Sequence, residues 1–111
     1  LIFDEVDAGI GGAAVQAVAE KLAALAAYHQ IICVTHSPQI AVMADHHLRL
    51  YKEIAGERTL TRAQHLIGED RRAEIARMLD GAAIDRAGLE HVDSLLERAQ
   101  RIKRERGLGP Q

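Results

Sequence analysis

Two short, unbroken apolar runs, Leu1-Ile2-Phe3 and Ile31-Ile32-Cys33-Val34, each stop abruptly at polar residues. Between them Val15, Val18, Leu22 and Leu25 recur at helical spacing, with Gln16, Glu20 and Lys21 off the stripe, which predicts an amphipathic helix from about Gly12 to Tyr28. Continuous apolar runs of this length are the pattern of strands buried on both faces. Strand, helix and strand in this order form a right-handed βαβ unit, so the second strand is expected parallel to the first, beside it or close by. Beyond Pro38, Ile40 to Ala44 predicts a short apolar helical turn. Alternation of Leu48 and Leu50 against Arg49 and Tyr51, then Ala55-Gly56-Glu57, then Thr59 to Arg62, predicts a β-hairpin near the edge of the sheet. Acids at Glu69-Asp70 open a helix that passes through Ile75, Met78 and Leu79 to a stop at Gly81. A last helix from about Asp85 sets Leu89, Val92, Leu95, Leu96, Ala99 and Ile102 on one face. The expected fold class is α/β, with one folded unit over residues 1–106 and a fraying tail over 107–111.

Composition narrows this picture in a few respects. The chain has 111 residues, 48% hydrophobic and 27% charged, the balance of a single water-soluble unit with an aliphatic core. A formal charge of −2 argues against a domain that coats nucleic acid along its whole surface. Cys33 is the single cysteine, which excludes an internal disulfide and fits a reducing compartment. No stretch approaches the apolar length needed to span a bilayer, so a cytoplasmic location and no membrane partner are expected. The opening on Leu1 in mid-strand predicts further chain upstream. No G-x-x-x-x-G-K-[ST] occurs, because Lys21, Lys52 and Lys103 all lie outside glycine-rich loops.

The candidate chemistry begins where the first strand ends. Asp4, Glu5 and Asp7 crowd into four positions, followed by Ala8-Gly9-Ile10-Gly11-Gly12. Three neighbouring carboxylates repel one another and any anionic ligand, so a phosphate shares this edge only with a divalent cation between them. A solvated acidic turn is the alternative. The run is similar to a Walker B motif, in which the first acid holds Mg²⁺ and the next takes a proton from the attacking water. Gly9 to Ala14 also satisfies G-x-G-x-x-A, but the dinucleotide fingerprint needs its first glycine directly after the strand.

The second strand runs out into Thr35-His36-Ser37-Pro38-Gln39. Parallel strands end on the same sheet edge, so His36 is expected beside Asp4 and Glu5. A neutral imidazole there can hydrogen-bond a phosphate oxygen or a water. A zinc reading of Cys33-x-x-His36 fails because residues an odd number apart on a strand face opposite ways. Cys33 is then core, and His46-His47 lacks further ligands. The basic run Arg101 to Arg106 complements a helix dipole or binds phosphates.

Taken together, Asp4-Glu5-Val6-Asp7 with Gly9-Ile10-x-Gly12, and Val34-Thr35-His36-x-Pro38-Gln39-Ile40 with Ala44-Asp45-x-His47, resemble the C-terminal part of ABC-type ATPase heads of the SMC-like class that act in bacterial double-strand-break repair. Ser37 departs from the leucine expected there. By position, the resemblance implies Asp4 as Mg²⁺ ligand, Glu5 as catalytic base and His36 as the switch histidine. It further implies Asp7, Gly9 and Gly11 as a loop reaching toward a partner's ATP site, and Gln39 as a cofactor contact. It implies ATP and Mg²⁺ as cofactors. The implied partners are an upstream lobe of the same head, a second head in an ATP sandwich and DNA, in a nucleoid-associated protein. Other readings are a helicase, another ABC nucleotide-binding subunit, or a non-enzymatic docking module whose acids are surface charge.

Overall fold

The computed structural model describes residues 1–80 and 85–108. Strand β1 (Ile2–Asp4) leads through the glycine loop into α1 (Gly12–Leu25), β2 (Ile32–Val34) and the short α2 (Pro38–Ala41). Then come the hairpin strands β3 (His47–Ala55) and β4 (Arg58–Leu66), and the helices α3 (Gly68–Asp80) and α4 (Arg86–Glu105). β1 and β2 pair directly and in parallel, Ile2 opposite Ile32, Phe3 opposite Cys33 and Asp4 opposite Val34. Gly81, read as a helix stop, and residues 109–111 of the tail lie outside the described residues.

The strands are not buried on both faces. Alternation puts Phe3 and Cys33 on one side of the pair, where they are half-buried, while Ile2, Ile32 and Val34 on the other side stay 75, 51 and 41% exposed. The reason is that the core is built by helices on a single side. Val15 and Ala19 of α1, Ile40 of α2 with Val42 and Met43 after it, Ile75 and Ala76 of α3, and Val92 and Ala99 of α4 form it. Of the β1–β2 pair, Cys33 packs against this cluster. Ala19, Ala76 and Ala99 let the helices approach closely without large side chains between them.

The hairpin is also differently placed from the expectation of a sheet-edge position. All nine residues of β3 pair antiparallel with β4, His47 opposite Leu66 through Ala55 opposite Arg58, and the two make a sheet of their own. A two-residue loop closes it, with Gly56 at φ +66°, the conformation that favoured hairpin loops require at their first position. Alternation along β3 thus arranges two faces of a projecting ribbon. Leu66 at its base is buried, whereas Leu48, Leu50 and Ile54 remain exposed.

The helix ends are well specified. Asp85 caps α4, its Oδ1 accepting from the Gly88 N–H at 2.7 Å. At the other end Gly107, at φ +69°, donates its N–H to the Arg104 carbonyl at 3.1 Å, and Leu108 donates to the Lys103 carbonyl at 2.6 Å. That is a Schellman closure, with Gly107 and Leu108 ending the helix. The Arg72 guanidinium grips both Asp93 carboxylate oxygens at 2.8 Å, joining α3 to α4. Among the described residues no helix is long and apolar enough to cross a membrane.

Ile75 is fully buried where the helices meet. Ile75→Ala should lower the unfolding free energy by about 2–5 kcal/mol, read from urea denaturation.

Candidate functional site

The parallel register decides where the chemistry lies. With Asp4 opposite Val34, the next residue of each strand leaves the sheet on the same side, and the Glu5 N–H donates to the Val34 carbonyl at 2.8 Å. Glu5 then turns sharply. Its φ of +50° is the one positive value at a non-glycine position among the described residues. A left-handed conformation at a residue with a side chain costs roughly 1–2 kcal/mol, so the surrounding hydrogen bonds must hold it. The Ala8 N–H donates to the Glu5 carbonyl at 3.0 Å and closes the turn. Gly9 follows at φ +78°, and Gly11 opens α1, its carbonyl accepting from Val15 at 2.9 Å.

On β2 the chain reverses with help from its own side chain: Thr35 Oγ1 accepts from the Ser37 N–H at 2.9 Å, and Pro38 starts α2 with a φ already suited to a helix. Between these two turns His36 is projected outward. Its Nε2 stands 3.3 Å from Glu5 Oε1, with the side chains 92 and 54% exposed. The expected convergence of histidine and acid is therefore present. Asp4 is exposed at the end of β1 and Asp7 is half-buried beside it. Their charges reach inward, because burial first and then Asp7 and Asp4 push the Cys33 thiol above its ordinary value. Cys33 is a half-buried core residue, as its place on the strand predicts.

Gln39 lies elsewhere. It lines a crevice with Gln16 of α1 and Leu95, Arg98 and Ile102 of α4, on the helical side of the molecule. Among the described residues no three His, Cys, Asp or Glu side chains gather as a metal cage. The His46 ring, just before β3, stands 5.7 Å from the His65 ring, centroid to centroid, while His47 Nδ1 is buried without a hydrogen-bond partner. Burial first, then the Arg71 charge, holds His47 below its ordinary value.

The basic run of α4 is not a uniform exposed patch. Lys103 is buried and donates from Nζ to Asp45 Oδ1 at 2.7 Å, and Arg106 Nη1 reaches Glu20 Oε1 at 3.1 Å. A signal for this was available, since Lys103 follows Ala99 by four residues and so continues the buried stripe of α4. Arg71 was also unanticipated. From α3 its Nη2 donates to the carbonyls of Ala41 and Ala44 at 3.1 and 2.9 Å, satisfying the end of α2, and burial lowers its own proton affinity.

These features define a class: a small α/β unit whose parallel strand ends carry an acid and a histidine to one edge. Comparison with known proteins carries the assignment further. No protein-family model matches the chain. It is 47% identical over 104 residues to the DNA repair protein RecN of Treponema pallidum, covering 94% of this chain and 18% of that protein. It is 50% identical over 96 residues to RecN of Deinococcus radiodurans, covering 86% of this chain and 17% of the relative. Against RecN of Bacillus subtilis it is 42% identical over 103 residues, 93% of this chain and 18% of the relative. The chain is a C-terminal RecN-type segment, spanning less than a fifth of the length of the curated relatives it matches.

The charge coupling at the strand end has a chemical readout. Removing one nearby negative charge stabilises the thiolate, so Asp7→Asn should speed alkylation of Cys33 by iodoacetamide at pH 8. An unchanged rate would mean that burial alone protects the thiol.

Proposed function

We propose that this chain is the portion of an ABC-type, SMC-like ATPase head that supplies the water-activating edge of an ATP site in a RecN-like DNA repair protein. The observation that carries the reading is the 3.3 Å approach of His36 Nε2 to Glu5 Oε1 across adjacent parallel strand ends, in a chain 47 and 50% identical to two RecN proteins. Two exposed polar side chains gain little from meeting on a surface, so their convergence calls for a chemical reason.

In this reading Glu5 is the general base. Its left-handed backbone directs the carboxylate away from the strand axis and toward the histidine rather than along the sheet. His36, held by the Thr35 turn and the first residue of α2, accepts or donates a hydrogen bond at the same water or at a phosphate oxygen. Asp4 offers hard carboxylate oxygens at the strand end. One such ligand suits Mg²⁺, which takes one or two protein carboxylates and completes its shell with water and phosphate, so the missing three-residue cage does not count against it. When bound, Mg²⁺ neutralises phosphate charge that would otherwise meet Asp4, Glu5 and Asp7.

Asp7, Gly9 and Gly11 form the loop that reaches toward a partner head. The open backbone at Gly9 and Gly11 leaves room for close approach, since nothing within 4 Å would meet an added Cβ at either. Gln39, the remaining proposed nucleotide contact, lies in the crevice facing α4. The exposure of Glu5 and His36 means that further protein must cover them before bulk water is excluded. The upstream lobe of the head and a second head are the proposed covers, with DNA the substrate of the whole protein and hydrolysis by the segment alone negligible.

The test uses the RecN-length protein that carries this segment. Glu5→Gln should slow single-turnover ATP hydrolysis by about 10²- to 10⁴-fold while ATP still binds, the loss expected for a general base. Failure to bind ATP as well would remove Glu5 from that role. His36→Ala should impair hydrolysis more than binding, and unchanged turnover would remove the histidine from the site.

A further inference from the structure

The charged C-terminal turn of α4 is linked to the helix after each of the site's two loops, through Glu20 of α1 and Asp45 just beyond α2. Lys103, with 4% of its side chain exposed, pairs with Asp45, which is 23% exposed and follows directly on the turn after α2. Arg71 grips the same end of α2 through the Ala41 and Ala44 carbonyls. His36 lies two residues before the other end of α2. Three residues past Lys103, Arg106 meets Glu20 of α1, the helix that begins where the acidic loop ends, and Gln16 holds the second Glu20 oxygen at 3.2 Å. Glu5 and His36 themselves are exposed, and no contact packs them into the core. Their separation depends on where α1 and α2 sit.

A lysine buried this completely is costly unless its partner is fixed, and removing one member of such a pair leaves the other uncompensated. Arg101 and Arg104, on the same helical end, stay exposed and would serve equally well to complement the helix dipole. Dipole complementation therefore gives no reason for Lys103 to point inward. We infer that Lys103, through its buried pair with Asp45, is a positioning residue that fixes α2 and thereby holds His36 against Glu5. The pair is a strut between the end of α4 and the far end of the histidine-bearing segment. Loss of the strut lets α2 shift by a fraction of its width, and the exposed histidine moves with it.

The kinetic half of the test rests on the ATPase reading above, whereas the spectroscopic half does not. In the 111-residue chain, the His36 ring signals in a ¹H–¹³C NMR spectrum should move in Lys103→Met and return toward their original position in Lys103→Arg. Arg101→Gln, which removes the same charge from an exposed position, should leave them in place. If Lys103→Met does not fold, Asp45→Asn, which keeps side-chain volume, decides the same point by the same signals. In the RecN-length protein, Lys103→Met should lower kcat for ATP by about tenfold or more with KM within about twofold, as misplacement of a reacting group does, and Lys103→Arg should recover most of it. A variant that melts earlier yet keeps the His36 signals and kcat would overturn the inference and make Lys103 a stability residue only. Absence of hydrolysis in the unmodified protein would count against the ATPase reading, with the His36 signals still deciding the positioning role.

Discussion

Parallel pairing of β1 with β2, three residues against three, is the constraint on which the site depends. Parallel strands must run out on a common edge, and with no offset between Asp4 and Val34 the side chains of Glu5 and His36 beyond them approach to 3.3 Å. A two-residue slip in this register would move a strand end by roughly 6–7 Å and separate Glu5 from His36. Two strands this short cannot secure such a register by their own hydrogen bonds. What fixes it is the helical connection, since α1 is packed through Val15 and Ala19 into the same core as α2, α3 and α4.

The core therefore serves the sheet from one side only. Small residues at Ala19, Ala76 and Ala99 bring the helices together, and Ile75 and Val92 fill the space between them. Polar links reinforce this arrangement where the chain changes direction. Arg71 satisfies carbonyls that α2 is too short to satisfy itself, and Arg72 ties α3 to α4 through a forked contact with Asp93. The opposite face of β1–β2 and the ribbon of β3–β4 carry exposed isoleucine, leucine and valine. For a segment of less than a fifth of its relatives' length, an incompletely covered sheet is consistent with the small area its own helices can cover.

Much of this was legible in the residues because local periodicity and topology were enough. The helical stripe from Val15 to Leu25, the paired apolar runs and the start of the last helix near Asp85 each have a local cause, and the shared strand edge follows from parallel topology without any side-chain detail. The similarity to RecN was likewise carried by the acidic and histidine blocks. Other features depended on tertiary context. The apolar run at Ile31 to Val34 cannot report that one face lacks a cover, and alternation from Leu48 to Tyr51 describes a hairpin equally well in a shared sheet or on its own. The positive φ at Glu5 has no counterpart in residue type, since a glutamate gives no sign of it. Lys103 sits in a basic run of a kind usually solvated, although its spacing from Ala99 points inward.

In the proposed function Glu5 and His36 form one chemical unit rather than two surface residues. A double-mutant cycle on single-turnover ATP hydrolysis in the RecN-length protein tests it most directly, comparing Glu5→Gln, His36→Ala and the double variant with the unmodified protein. Residues that act together lose little more when both are removed, so the double variant should hydrolyse ATP within a few-fold of the slower single variant. Strictly multiplicative losses would contradict the account, and would mean that the 3.3 Å approach at the strand edge has no part in a shared step.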